Sequence, residues 1–498
     1  NIFNNYSAGR VIKLIYSKKS LFWEKVRKDR TLKLFHEAAK RVPAYKDFLK
    51  KQNINHEKIR AFNDFQNVPT ISKDNYLREY PQKLLNWDGS IGKPLVFTST
   101  SGSTGEPFYF PRHEELDWQY SILIEKFLNY GACQGPALVV ICFGMGIWIG
   151  GLITYKAFEI ASRRGQYPVS IITPGINKKE IFSVLKKLAP QFNQVILVGY
   201  PPFLKDIIDE AADEKINIKK LNLRLLFAAE PFTEKFRNYI AKKACIKNHC
   251  LDTLNIYGTA DIGAMAWETP ASILMRRLAT NQKKLFNDLF YSASKTPTLA
   301  QYNPLFITFE APNGEILLTG NSAIPLIRYA VGDHGGILSF SQALSILKKH
   351  GIDFEKHSSQ NKIRHAVHQL PFVFVYERSD FSVILSGANI FPEEIREVFH
   401  KKPLTDNLTS KFTMMVKNDK NYNEYLEINI ELKPAIKKSN ALEKLTQKII
   451  IDNLLKKNSE YVAIYQGSPE RNKPKIILWP YEHDLHFKPG IKQKWVKK

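Results

Sequence analysis

Thr98-Ser99-Thr100-Ser101-Gly102-Ser103-Thr104-Gly105-Glu106-Pro107 follows directly on the apolar run Pro94-Leu95-Val96-Phe97. Six small hydroxyl residues and two glycines fill the eight positions Thr98 to Gly105. Glycine lets a backbone approach an anion closely. Successive N–H groups in such a turn form an anion-binding nest, and hydroxyls add donors for phosphate oxygens. No Lys-Ser/Thr pair follows the second glycine, so this is not a GxxxxGK[ST] loop. Read alone, it is equally a flexible polar loop.

Downstream, from about residue 95 to 335, short apolar runs alternate with amphipathic segments. PLVFTST, ALVVICF, VSIITP, QVILVGY, LRLLFAAE and LNIYG read as buried strands. KKEIFSVLKKLAPQF and TEKFRNYIAKKA read as helices. This alternation predicts an α/β domain with a largely parallel sheet. PLFITFE-APNG-EILLTG predicts a hairpin about an Asn-Gly turn. Upstream, LFWEKVRKDRTLKLFHEAAKRV predicts a helix stopped at Pro43, and Ser72 is a candidate cap with Asp74 in the first turn. Beyond about Arg378, strand-like SVILSG, FTMMVKN and YLEINIEL mix with helical FPEEIREVFHK and ALEKLTQKIIIDNLLKK. That texture predicts a small, separate α+β domain. The expected division is 1–379 and 380–498.

The 498 residues carry a formal charge of +24, most of it lysine. Two readings compete: a solvated lysine-rich surface, or attraction to anions such as nucleotides, acidic carrier proteins, nucleic acid or membrane surfaces; no nucleic-acid-binding motif supports the nucleic-acid version. Four cysteines make no disulfide framework in a chain of this length, and Cys245-His249-Cys250 lacks the second half of a zinc site. The first residues show no secretory pattern, and a reducing cytoplasm is the expected compartment. Ala137–Ile153 is uncharged over 17 residues, but glycines interrupt its second half. It reads as a buried strand, a turn and a helix beginning at Ile149, with no membrane span.

Further motifs follow the glycine-rich loop in a fixed order. They are Ala228-Ala229-Glu230-Pro231, Ile256-Tyr257-Gly258-Thr259-Ala260-Asp261, Pro325-Leu326-Ile327-Arg328-Tyr329 with Gly332-Asp333, Glu377-Arg378-Ser379-Asp380, and Lys492-Gln493-Lys494. Arg41-Val42-Pro43-Ala44-Tyr45, Val68-Pro69-Thr70-Ile71-Ser72-Lys73 and Gly199-Tyr200-Pro201-Pro202-Phe203-Leu204 complete the set. Each alone is an ordinary turn, cap or surface pair. Together they resemble the adenylate-forming superfamily of acyl-CoA ligases, peptide-synthetase adenylation domains and luciferases. Within it the chain is similar to the phenylacetate–CoA ligase-like branch, which includes proteins of capsular-polysaccharide operons. The resemblance spans nearly the whole sequence.

The resemblance implies a large multi-layer N-terminal domain and a small mobile C-terminal one. It implies an AMP-forming ligase that activates an aryl or acyl carboxylic acid as its adenylate, then passes it to a thiol. ATP, Mg²⁺ and coenzyme A, or carrier-protein phosphopantetheine, are the implied cofactors, and a homodimer is implied by the branch. Ser101, Gly102, Ser103, Thr104 and Gly105 would hold the β- and γ-phosphates. Glu230, Tyr257 and Gly258 would line the adenine pocket, and Asp333 would take the ribose hydroxyls. Arg378 would contact the nucleotide, Thr259 and Asp261 would position the α-phosphate and metal, and Asp380 would be the hinge. Lys492 would be the catalytic lysine, with Lys494 as the alternative. Phe143, Trp148, Tyr200 and Phe203 are candidate acid-pocket walls, equally readable as core.

The sequence departs from the family's pattern at three places. Asp261 stands where glutamate is usual, Glu377 replaces the glycine before the hinge arginine, and Glu106 occupies a site often basic. Two other readings stand beside this one, the first implied by relatives of the branch and the second motivated by the Asp261 and Glu377 departures. One is adenylyl or acyl transfer to a hydroxyl or amine acceptor. The other is a non-catalytic nucleotide-binding scaffold in envelope-polysaccharide assembly.

Overall fold

The structure is a computed structural model. It describes residues 6–92, 95–99, 108–131, 135–145, 149–165, 168–229, 231–291, 296–376, 383–385, 388–418, 424–458, 461–462, 465–466, 469–488 and 495–496. These residues group into two compact units. One comprises Asn1–Tyr200, Ala211–Pro231 and Ala244–Tyr376; the other comprises Pro201–Glu210, Phe232–Lys243 and Glu377–Lys498.

In the first unit, β1 (Val96–Ser99) pairs antiparallel with β2 (Tyr109–Arg112) as a separate ribbon. This corrects the reading of PLVFTST as a buried strand of the parallel sheet. Val96 and Phe97 are 47% and 46% exposed, whereas Thr98 and Ser99 are buried. The glycine-rich segment therefore joins two antiparallel strands.

Among the described residues the main sheet has eleven strands. β3 (Ala137–Cys142), β4 (Val169–Ile172), β5 (Gln194–Gly199), β6 (Leu223–Ala228) and β7 (Thr253–Thr259) run parallel in the order β4-β3-β5-β6-β7. Every residue of β3 and β5 is buried. That is why their sequences are continuous apolar runs with no alternation. The helices Glu114–Tyr130 and Ile149–Arg163 share one core with them, which Trp23 of the helix Ser20–Arg41 also enters. Among the described residues no helix is long and apolar enough to cross a membrane.

Beyond β7 the sheet turns antiparallel. β8 (Gly263–Trp267), β9 (Thr298–Gln301), β10 (Ile307–Glu310), β11 (Glu315–Gly320), β12 (Leu326–Leu338) and β13 (Phe372–Val375) follow in the order β8-β9-β13-β12-β11-β10. The β10–β11 hairpin turns at Asn313-Gly314 as the sequence predicts, with Asn313 at φ 51° and Gly314 at φ 82°. A second core joins Phe35, Tyr45, Phe65 and Tyr76 to Ile316 of β11 and Tyr329 of β12.

The second unit has β14 (Val383–Leu385) paired with β15 (Ala388–Ile390). Its three-stranded sheet is β16 (Leu408–Asn418), β17 (Glu424–Leu432) and β18 (Lys475–Trp479), packed with the helix Asn440–Lys457. Trp495 is buried in this core, and its carbonyl accepts from Met414 N at 2.7 Å.

Lys126, on the helix Glu114–Tyr130, is fully buried, and its Nζ has no hydrogen-bond partner. Its Nζ lies 3.2 Å from the Tyr16 ring centroid. Burial pulls its pKa down to about 6, and burial holds neighbouring His368 well below the ordinary histidine value. The unfolded chain therefore binds a proton on Lys126 that the native state lacks, from about pH 6 up to the ordinary lysine value of 10.5. Stability must rise with pH across that window. Lys126→Met is expected to raise the thermal midpoint by about 3–5 °C at pH 7, with the gain shrinking toward pH 10. Thermal melts at several pH values check this.

Candidate active site

β7 leaves the buried core at Tyr257, where the β7–β8 register slips between Tyr257 and Gly258. A Cβ on Gly258 would lie 2.6 Å from the Gly263 carbonyl oxygen, so only glycine permits this close pairing. Just beyond, Thr259 Oγ1 accepts from Asp261 N at 3.3 Å. The aspartate is turned inward and only 4% exposed.

Two groups hold the Asp261 carboxylate. The Tyr329 hydroxyl donates to Oδ2 at 2.7 Å, and Lys73 Nζ lies 3.3 Å from Oδ1. Lys73 is placed there by the backbone before it. Ile71 pairs in parallel with Tyr329 through Ile71 N to Arg328 O at 3.2 Å and Ala330 N to Ile71 O at 2.9 Å. Ser72 then caps the short helical turn Lys73–Leu77, as its sequence predicts, accepting from Asn75 N at 3.2 Å.

Arg328 fixes this clasp. Its φ of 48° lies in the left-handed region, a strained state for a side-chain-bearing residue. It donates to Glu310 Oε2 at 3.2 Å and to the Val68 carbonyl, while its own N–H donates to Thr319 Oγ1 at 3.0 Å. Burial pushes the Glu310 carboxyl up, and the Arg328 guanidinium opposes that shift.

The second carboxylate is Asp333 on β12, following Gly332 at φ 80°. It is 8% exposed, and the Tyr257 hydroxyl donates to its Oδ2 at 2.6 Å. Tyr257 is half-buried, with its ring 6.3 Å from that of Phe309. The structure thus joins Tyr257 to Asp333 from motifs far apart in sequence, and Thr259 to Asp261 within one motif. Phe143 and Tyr200 also meet, edge to face at 4.8 Å. Ser101, Gly102, Ser103, Thr104, Gly105, Glu106, Trp148, Glu230, Glu377, Arg378, Asp380, Lys492 and Lys494 lie outside the described residues. Immediately before Glu230, Ala229 has φ 72°, a backbone state that glycine adopts without strain.

Lys73 and Tyr329 stand in motifs quoted from the sequence, where neither carries a local signal of its chemistry. The Ile71-Ser72-Lys73 cap signal shows a turn; only the pairing of Ile71 with Tyr329 shows what the lysine meets. Among the described residues no three His, Cys, Asp or Glu side chains converge on a cation position. A nucleotide-bound Mg²⁺ needs only one or two protein carboxylates beside the phosphates. Asp261 offers one carboxylate, whose two oxygens already face the Tyr329 hydroxyl and the Lys73 ammonium.

This architecture is shared with a solved CoA ligase. The fold aligns with 2-hydroxyisobutyryl-CoA ligase in complex with 2-HIB-AMP at a TM-score of 0.66 and 13% identity, covering 98% of this chain and 91% of that one. In sequence, the chain is 22% identical over 434 residues to phenylacetate-coenzyme A ligase of Pseudomonas putida, covering 85% of this chain and 84% of the relative. It is 21% identical over 404 residues to the Aromatoleum evansii enzyme of the same name, covering 80% and 79%. No family profile matches the chain. The resemblance in the motifs therefore extends to sequence similarity over 80% to 85% of the chain and to the fold.

Proposed function

We propose that this protein is an ATP-dependent, AMP-forming ligase that activates a carboxylic acid as its acyl-adenylate and transfers the acyl group to coenzyme A. The observation that carries the reading is the juxtaposition of Tyr257 with Asp333, and of Thr259, Asp261 and Lys73, in one unit. Phenylacetate-coenzyme A ligases are similar over most of the chain, and 2-hydroxyisobutyryl-CoA ligase shares the fold.

In this reading Asp333 accepts from the ribose hydroxyls, because a carboxylate offers two acceptor oxygens. Tyr257 presents a flat face to adenine, while its hydroxyl keeps Asp333 oriented. Glu230 and Gly258 complete the adenine wall, and Ser101–Gly105 cradle the β- and γ-phosphates. The acid's carboxylate oxygen attacks the α-phosphorus, and the bond to the bridging pyrophosphate oxygen breaks. Lys73 keeps a positive charge beside Asp261, where negative charge moves during transfer. Mg²⁺, held by Asp261, would supply further neutralisation of phosphate charge. Lys492 would assist adenylation and Arg378 would contact the nucleotide. The segment 380–498 would then reorient about Asp380, after which the thiol displaces AMP. Most of the acceleration is positional and electrostatic.

A carrier-protein thiol in place of coenzyme A, a homodimer, a cytoplasmic location and a role in envelope polysaccharide assembly are further proposals from the branch resemblance. The test is AMP release with purified protein, ATP, Mg²⁺ and a panel of aryl, fatty and hydroxy acids. AMP formation that requires both one acid and coenzyme A supports the reading. AMP formation that ignores coenzyme A and requires an amine or hydroxyl acceptor contradicts the thiol step.

A further inference from the structure

The N-terminal helices present a surface that adenylation does not use. Tyr6 to Lys33 holds nine basic residues and two acidic ones. The helix Ala8–Ser17 buries Ala8, Val11 and Ile15 and exposes Arg10, Lys13 and Tyr16. The helix Ser20–Arg41 begins three residues later and exposes Leu21, Lys25 and Lys28 along its first turns. Between them Lys18 and Lys19 are exposed.

The corner is both cationic and apolar. Leu21 is 82% exposed and Tyr16 46% exposed. Lys18 Nζ lies 5.2 Å from the centroid of the half-buried Phe22 ring. The acids beside it do little to neutralise the patch, because Glu24 faces Arg27 at 3.6 Å and Asp29 stands alone among six cations from Lys18 to Arg30. Apolar tips ringed by lysines suit the boundary between headgroups and acyl chains, where the leucine enters the apolar layer and the ammonium groups meet lipid phosphates. A single-stranded nucleic acid would instead need several exposed stacking rings, and this corner exposes one tyrosine.

We propose that the corner Tyr16–Leu21, with Lys13, Lys25 and Lys28, docks this protein peripherally on an anionic lipid surface. Leu21 is the inserted side chain, and Lys18 and Lys19 are the principal headgroup contacts. This inference stands apart from the proposed catalysis and does not depend on it.

The test is co-sedimentation of the full chain with vesicles of phosphatidylcholine alone and of phosphatidylcholine mixed with phosphatidylglycerol. Binding is expected only to the mixed vesicles and is expected to weaken as salt rises. Each basic side chain near an anionic bilayer strengthens binding by about fivefold. K18E/K19E is therefore expected to weaken partition by about twentyfold or more, and Leu21→Gln by about tenfold. Both variants change exposed side chains, so unaltered melting temperatures serve as the folding control. Absence of binding to the mixed vesicles would overturn the proposal. So would vesicle binding that both variants leave unchanged. A loss confined to binding of single-stranded RNA would overturn it in favour of a nucleic-acid surface.

Discussion

Asp333→Ala is expected to lower kcat/KM for ATP by about two to three orders of magnitude, the largest single effect in this site. Two losses combine: in the proposed function the ribose hydroxyls lose a charged acceptor, and the Tyr257 hydroxyl loses the partner it holds at 2.6 Å. Asp333→Asn keeps the shape and one acceptor oxygen, so a loss of about tenfold is expected. Tyr257→Phe separates the contributions. It removes the hydroxyl but keeps the ring, and should raise KM for ATP by less than tenfold with little change in kcat. Steady-state kinetics on the three variants check this order. Equal activity of Asp333→Ala and the parent would remove Asp333 from the nucleotide site.

The second large effect concerns Lys73. Removing it leaves the Asp261 side chain, 3% exposed, without the cation 3.3 Å away. The lysine is itself 28% exposed, so water screens part of the pair, and the stability cost should stay near 1 kcal/mol. The catalytic cost should be larger. Lys73→Ala is expected to lower the adenylation rate by about a hundredfold, because a positive charge is lost where charge moves. Asp261→Asn should fall by a similar factor. If the two act as one unit, the double variant should be little worse than either single one. Additive losses would show that Lys73 and Asp261 act separately. Lys73→Arg, which keeps the charge but alters its geometry, should recover part of the rate.

Much of this site was legible in the sequence because each motif announces itself locally. Tyr257-Gly258 sits at the end of an apolar run, and the register slip there is what an unaccompanied glycine in a strand signals. Asp333 follows a glycine that the structure places at φ 80°. The β10–β11 hairpin was equally readable from Asn313-Gly314. What was not legible depends on contacts between distant segments. The pairing of Ile71 with Tyr329, and the delivery of Lys73 to Asp261, leave no periodic trace. Nor does the strain at Arg328, since arginine carries no signal for a left-handed backbone.

The strand β1 shows the limit of apolar runs as evidence. Pro94-Leu95-Val96-Phe97 reads like the interior strands β3 and β5, but Val96 and Phe97 are nearly half exposed. A short apolar run does not reveal whether its neighbours are parallel strands or a hairpin partner beyond a polar loop. The grouping of Pro201–Glu210 and Phe232–Lys243 with the C-terminal segment is of the same kind. Neither helix carries a compositional break that would mark it apart from the sheet-forming region.

The most direct measurement is ATP–pyrophosphate exchange with Mg²⁺, without any thiol, across aryl, fatty and hydroxy acids. The account predicts exchange that depends on one class of acid and is lost in Asp333→Ala. No exchange with any acid, in protein that binds ATP measurably, would contradict carboxylate adenylation and favour a nucleotide-binding scaffold.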